Sequence, residues 1–430
     1  MIKNILNRNI QYNLLSLINV FIGFLFILYL GRKFGAGAET DIYFLSIVII
    51  GYLGYFIQAI WEAMSPYYIE KKIKDKVLSD ELYSILLNDL ILISLIIIGI
   101  YFFFTTVFNI LTLEQKNFID IFIFYLIFQN ILLFNKTILN LEHYYASFYL
   151  VDIFVYSVLF ITIFFFIDSQ IIYIAYVTVA ATFLANVWQF YLIYKKLNIK
   201  YSFLFYNQNL REIYKNSFKL KLGSLLYGSK DIIIASVFTS FGSGMFSLYS
   251  YANKFAGVII QVVNAPVVNI FATKANYHVA NNRYDLLKND IKNVLSQTIV
   301  LFSISGGITY MILPDLLSVL FGDKFSENDI LIIQSYFLIL LFYYLIMVFE
   351  QPFGRTLMVM KYFNFTLQLN FIYAIFFSIY ILIIKLFFTM QDFFILYWLI
   401  ITHFIAAVLI INKFQGVLKN GSFSSKTTSE

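Results

Sequence analysis

Three charged side chains stand inside apolar runs of this 430-residue chain, where hydrocarbon would be their only neighbour. Lys254 lies in the run that begins at Met245, and Lys230 and Asp231 lie in the run that ends near Ser240. At about 1.5 Å of helical rise per residue, Lys254 sits about 14 Å past the start of its helix, and the other two lie as deep from the end of theirs. A charge in the bilayer centre costs at least about 2.5–3.5 kcal/mol, so those that are kept face a water-filled hollow or one another. Two lysines against one carboxylate leave a net positive pocket, which suits a phosphate or pyrophosphate bound by lysine as a point charge. The plainer reading makes Lys230 and Asp231 helix locks. They point about 100° apart on a helix, so each would pair elsewhere. Asp231 serves equally as a proton or cation coupling group. Asp41, at the outer start of its helix, is either a first-turn acid favoured by the helix dipole or a gate that closes the outer mouth on a cation.

The elements that must position these groups are duplicated. Arg32 to Phe44 and Phe241 to Tyr251 each place a Phe-Gly-small-Gly turn between two long apolar runs. Phe34 and Phe241, Gly37 and Gly244, Thr40 and Ser247, and Phe44 and Tyr251 are all 207 positions apart. An offset near half the chain length predicts two copies of one helical unit, a plan common in secondary transporters.

Composition sets the class. Apolar residues are 61% of the chain and charged ones 13%, against about 25% charged in soluble domains. Most runs are long enough to cross a hydrocarbon core of about 30 Å. They predict an all-α polytopic membrane protein with twelve helices, near 11–30, 41–62, 83–106, 119–140, 147–167, 171–193, 220–240, 245–271, 291–312, 329–349, 363–388 and 392–412. The first run leads straight into further spans and has no cleavage site, so it reads as a span and not as a signal peptide. With no cysteine, disulfides and thiolate metal sites are excluded, and His143, His278 and His403 lack metal-ligand spacing. Of the 30 Lys and Arg, 22 fall on one side, five on the other, and Lys136, Lys230 and Lys254 within helices. That bias places the basic side and both termini in the cytoplasm and explains the +6 charge without a nucleic-acid partner.

Residues 1–200 form a first six-helix lobe and 201–420 a second, the latter opening with an inner-surface linker at 201–219. The stretch 195–219 mixes cations with Phe203, Phe205, Leu210, Ile213 and Phe218, as a tether or a lipid-surface segment would. The Ser/Thr-rich tail 421–430 reads as disordered. Glu62, Asp89, Lys136, Asp152 and Glu350 lie near inner helix ends, where long side chains snorkel. His403 reads as a packing residue. No Walker A motif provides an ATP site. The longest outer loop, near 313–328, carries only Asp315, Asp323, Lys324 and Glu327, too few groups for a glycosyltransferase or glycan polymerase.

The run Arg32-Lys33-Phe34-Gly35-Ala36-Gly37-Ala38-Glu39-Thr40-Asp41-Ile42-Tyr43-Phe44 resembles the first outer loop and second helix of the MurJ (MviN) lipid II flippases. Those belong to the superfamily that also holds Wzx-type polysaccharide flippases and MATE drug exporters. Asp231–Ser236, Phe241–Gly244, Leu248–Phe255 and Asn269–Ala275 extend the likeness into the second half. The resemblance implies two pseudo-symmetric six-helix lobes around a central cavity, alternating access, and a polyprenyl-pyrophosphate-linked saccharide moved from the inner to the outer leaflet. It matches Asp41 to an acidic family position and places Lys254 where the family has a cavity arginine. Val20, Phe26 and Gly54 replace further arginines of the peptidoglycan-precursor carriers, and twelve helices fall two short of their fourteen. Some relatives bind sodium between the seventh, eleventh and twelfth helices. Asp231, Asn370 and Thr402 match part of that set, although Ala374 replaces a second acid.

The reading at this stage is a monomeric bacterial inner-membrane flippase for a lipid-linked oligosaccharide of surface polysaccharide synthesis. It has no cofactor beyond a coupling Na+ or H+, and its partners are that lipid-linked saccharide and the membrane lipids. Lys254, Lys230 and Asp41 serve the substrate. The alternatives are a lipid II flippase, a cation-coupled drug exporter, which would want an acidic cavity, and the membrane polymerase.

Overall fold

The computed structural model describes residues 2–74, 76–108, 111–142, 144–165, 170–205, 211–281, 283–360, 362–387 and 392–419. The tail 421–430 and residues 206–210 of the linker lie outside the described residues. Every regular element among them is helical: α1 (Ile2–Phe34), α2 (Ala38–Lys74), α3 (Lys76–Phe108), α4 (Leu113–Phe122), α5 (Tyr125–Leu141), α6 (Tyr145–Phe165) and α7 (Ile172–Leu192). There follow α8 (Arg211–Ser240), α9 (Met245–Ile259), α10 (Ala265–Ala280), α11 (Tyr284–Phe321), α12 (Glu327–Val359), α13 (Phe363–Phe387) and α14 (Asp392–Lys419). A two-residue break joins α4 to α5, and a π-helical turn at Ile260–Asn264 joins α9 to α10, so fourteen helices make the twelve segments expected. Nine helical segments among the described residues are long and apolar enough to span a bilayer.

The ends differ from the sequence reading in one consistent way. α3, α8 and α11 begin at Lys76, Arg211 and Tyr284, well before their apolar runs. Apolarity marks only the part that meets lipid, whereas helical hydrogen bonding continues into polar sequence beyond it. The stretch near 313–328, expected as an outer loop, is likewise mostly helix. α11 passes through Pro314 to Phe321, and a 3₁₀ turn, Gly322–Lys324, leads to Ser326, whose side chain caps α12 reciprocally with Asp329.

The chain forms two compact units. The first is Met1–Ser247 with Val319–Phe325, and the second is Leu248–Ser318 with Ser326–Glu430. The first extends past the repeat boundary near 200 because α8 packs along α2, the most extensive helix pairing in the structure. Gly228 makes that approach possible: a Cβ there would lie 2.6 Å from the Tyr55 ring. In the second unit α12 packs on α14, α10 and α13.

The start of the linker is a strap, without helix beyond residue 197. After α7 a π turn, Ile193–Leu197, ends at Asn198 in the left-handed conformation (φ 50°), and residues 199–205 run on without helix. One stripe of α3 holds them. Asp80 accepts from the Lys200 N–H at 3.1 Å, the Ser84 hydroxyl accepts from the Ser202 N–H at 3.1 Å, and the Asn88 amide donates to the Leu204 carbonyl at 2.8 Å. An i, i+4, i+8 spacing puts all three on one face, where they satisfy backbone groups that a helix would satisfy itself. Tyr201, Phe203 and Phe205 stay exposed. Asn88→Ala should release the strap, and limited proteolysis within 200–210 should speed up several-fold while the helical circular dichroism is unchanged.

Candidate functional site

The two copies of the repeated turn meet in the first unit. α9 starts directly after Gly244, which has no side chain to cap the helix, so its first N–H groups need an acceptor from elsewhere. Asp41, in the first turn of α2, supplies it. Its Oδ2 accepts from the Gly244 N–H at 2.6 Å, and its Oδ1 accepts from the Ser247 N–H at 2.7 Å and from the Ser247 hydroxyl at 2.6 Å. Asp41 is 6% exposed, and three donors and a helix N-terminus offset only part of the cost of burying its carboxylate. Ser247 Oγ also lies 2.8 Å from Thr40 Oγ1, so two residues related by the 207-position repeat touch each other. Thr40 in turn is folded onto its own turn, with its hydroxyl donating to the Gly37 carbonyl at 3.0 Å.

The backbones come equally close. Gly35 and Gly242, again 207 apart, both hold positive φ (69° and 131°). A Cβ on Gly244 would lie 2.7 Å from the Ala36 carbonyl oxygen. Nothing larger than hydrogen fits between these turns. Asp41 is thus a first-turn acid of α2 whose carboxylate also links the two halves of the sequence. The partner is not the cation that a gate was expected to use but a set of N–H and O–H donors, because a glycine-led helix start presents several at once.

The other predicted site residues fall in different environments. Lys230, on α8, is buried, with its ammonium 3.7 Å over the Tyr227 ring and 3.9 Å from Asp231 Oδ1. Its flexible stem folds toward the neighbour that helix geometry alone sets 100° away. Asp231 keeps 44% of its side chain exposed. Lys254 is exposed on α9 and forms no ion pair among the described residues. It continues a stripe with Ser247 and Ser250, at i+3 and i+7, along which burial falls from complete at Ser247 to exposed at Lys254. An exposed polar face halfway along an apolar helix belongs against water, not lipid. Of the sodium-type set, Thr402 is buried with its hydroxyl donating to the Trp398 carbonyl at 2.8 Å, Asn370 is half-buried, and Asp231 belongs to the other unit. No cluster of three or more His, Cys, Asp or Glu able to hold a metal occurs among the described residues.

One buried charge pair and one buried His–Glu contact escaped the sequence reading, which took their members for snorkelling or packing residues. Lys136, 3% exposed, bonds Asp152 at 2.7 Å, lies 4.1 Å over the Phe148 ring, and shares Asp152 with the Asn19 amide. Asp152 is sixteen residues on, so spacing along one helix carries no sign of the pair. In the second unit, His403 Nε2 lies 3.5 Å from Glu350 Oε1 between the rings of Tyr343 and Tyr373. The side chain of Glu62 lies outside the described residues.

A family model described as lipid II flippase MurJ matches residues 30–353. No curated protein matches the sequence. Solved structures do match the fold. A lipid II flippase MurJ in an inward closed conformation superposes with a TM-score of 0.75 at 16% identity, covering 95% of this chain and 87% of that one. An inward-facing MATE-family multidrug transporter of the MOP superfamily gives 0.76 at 11% identity, covering 96% and 100%. A MOP superfamily transporter from Pyrococcus furiosus Vc1, described as having a binding pocket of reversed polarity, gives 0.69 at 12% identity, covering 97% and 96%.

The cap makes two outcomes testable. Asp41→Ala leaves two buried N–H groups without an acceptor and should cost about 2–4 kcal/mol, read as a lowered melting temperature in detergent. The chain has no native cysteine. A Thr40→Cys, Ser247→Cys variant should therefore form one intramolecular disulfide under mild oxidation, seen as a gel shift that reductant reverses.

Proposed function

Since the chain belongs to the MurJ lipid II flippase family, we propose that it carries a polyprenyl-pyrophosphate-linked saccharide across the bacterial inner membrane, with lipid II as the first cargo to test. Its family and its structural neighbours are transporters, so its work is translocation and not catalysis. The family match over 30–353 favours the peptidoglycan precursor over the surface-polysaccharide cargo that the sequence reading put first.

The observation that carries the reading is Lys254, a cation without an ion pair among the described residues, on the exposed polar face of a membrane helix. Its ammonium would hold the pyrophosphate while the polyprenyl tail stays in lipid. Lys230, buried against Tyr227 and beside Asp231, is a second cation proposed to serve the substrate. Asp41 acts as the outer gate. Its bonds to Gly244 and Ser247 close the outer turns of the two sequence halves on each other, and they must break for the headgroup to leave outward. Alternating access then exposes the cargo to each side in turn, with both termini cytoplasmic and the protein working as a monomer. A second cargo, an oligosaccharide on the same carrier, is favoured by Val20, Phe26 and Gly54 in place of arginines, since Phe26 is fully buried and adds no charge to a cavity.

In vesicles containing the purified protein, Lys254→Ala should lower flipping of labelled lipid II at least about tenfold with protein abundance unchanged, and Lys254→Arg should keep most of it. Full activity of the alanine variant removes Lys254 from the mechanism. The oxidised Thr40→Cys, Ser247→Cys protein should be inactive and recover on reduction. Activity that survives the cross-link would mean that this contact never opens.

A further inference from the structure

The polar stripe of α9 does not stop at Lys254. Gly257 follows at i+3 and Gln261 at i+7, so the face reads Ser250, Lys254, Gly257, Gln261 with a helical repeat. A Cβ built on Gly257 meets nothing within 4 Å, and Gln261 is exposed. The helix also changes form here: Gln261 lies in the π-helical turn Ile260–Asn264, a feature that recurs at functional sites because it re-aims side chains. At the end of the turn Asn264 is buried, its amide donates to the Gln351 side chain, and its own Oδ1 is buried with no hydrogen-bond partner among the described residues. The stretch thus offers one cation, then a gap without a side chain, then a carboxamide, all in one unit.

We propose that Gln261 is a sugar-reading residue, contacting the first sugar ring of the cargo while Lys254 holds its pyrophosphate. This rests on the flippase reading above. Seven residues of helix separate the two side chains by about 10 Å, a length that a pyrophosphate and one pyranose ring fill. Gly257 leaves room for the ring between them. A carboxamide both donates and accepts, which matches ring hydroxyls or an acylamino substituent, whereas an ionised pyrophosphate only accepts and leaves the carboxamide oxygen unused. Placing a neutral hydrogen-bonding group beyond a point charge divides the labour: the charge binds the carrier, and the amide tells whether a sugar is attached.

The experiment compares two probes on purified protein, polyprenyl pyrophosphate without sugar and the same carrier bearing one sugar, by ligand-induced thermal stabilisation. Wild type should bind the sugar-bearing carrier about three- to tenfold more tightly, as one or two neutral hydrogen bonds would give. Gln261→Ala should erase that difference while leaving bare-carrier affinity as in wild type, and Gly257→Val should weaken the sugar-bearing carrier selectively. Lys254→Ala should weaken both probes together. If Gln261→Ala weakens both equally or neither, the sugar assignment fails although the flippase reading stands. If Lys254→Ala changes neither, the flippase site itself is misplaced. Should Gln261→Ala not fold, Gln261→Asn gives the same comparison with a shorter reach. Retention of the full sugar preference in that variant overturns the assignment.

Discussion

The carboxylate of Asp41 is buried against the open end of another helix, and much else in the first unit is arranged around that fact. A helix that begins at a glycine exposes donors it cannot satisfy alone, and an acid in a dry place needs donors it does not carry. Each solves the other's problem. The match is possible only because Gly244 lets the backbone of the second turn come against Ala36, and Thr40 and Ser247 meet at the same place. A contact that strong in a low dielectric, yet made of a few hydrogen bonds, is suited to holding one state firmly and releasing it when an equivalent set of partners, such as water, arrives.

The same rule governs the rest of the interior, since a bilayer cannot satisfy polar groups and the protein must do so internally. Lys136 is neutralised by Asp152, His403 is placed beside Glu350, and the extended residues 200–204 take their hydrogen bonds from Asp80, Ser84 and Asn88. Lys254 is the contrast. It sits on a face where burial falls away, and an exposed ammonium at that depth is stable against water or an anion, not against lipid. Paired charges such as Lys136 and Asp152 hold helices together, whereas Lys254 has no ion pair among the described residues.

Much of the architecture was legible beforehand because the membrane imposes length and apolarity on each span, and because duplication leaves a constant offset. The twelve segments and the paired turns followed from those two signals. Helix ends were misjudged by as much as about three turns, since hydropathy reports lipid and not hydrogen bonding. The tether's attachment to α3 was missed because the polar stripe that holds it is spaced like any solvated helix face. The Lys136–Asp152 pair was read as two snorkelling residues because nothing in one dimension says that α5 and α6 bring them together.

What the amino-acid order determined alone is the class of solvent each segment can tolerate and the fact that one unit was written twice, since both are properties of composition and period. What only the folded chain decided is who partners whom. Asp41 finds its donors only where the second turn brings Gly244 and Ser247 to it, and Thr40 meets Ser247 at the same place. Partnership depends on distances of a few ångströms between residues 200 positions apart, and such distances are set by packing, which has no periodic trace in the chain.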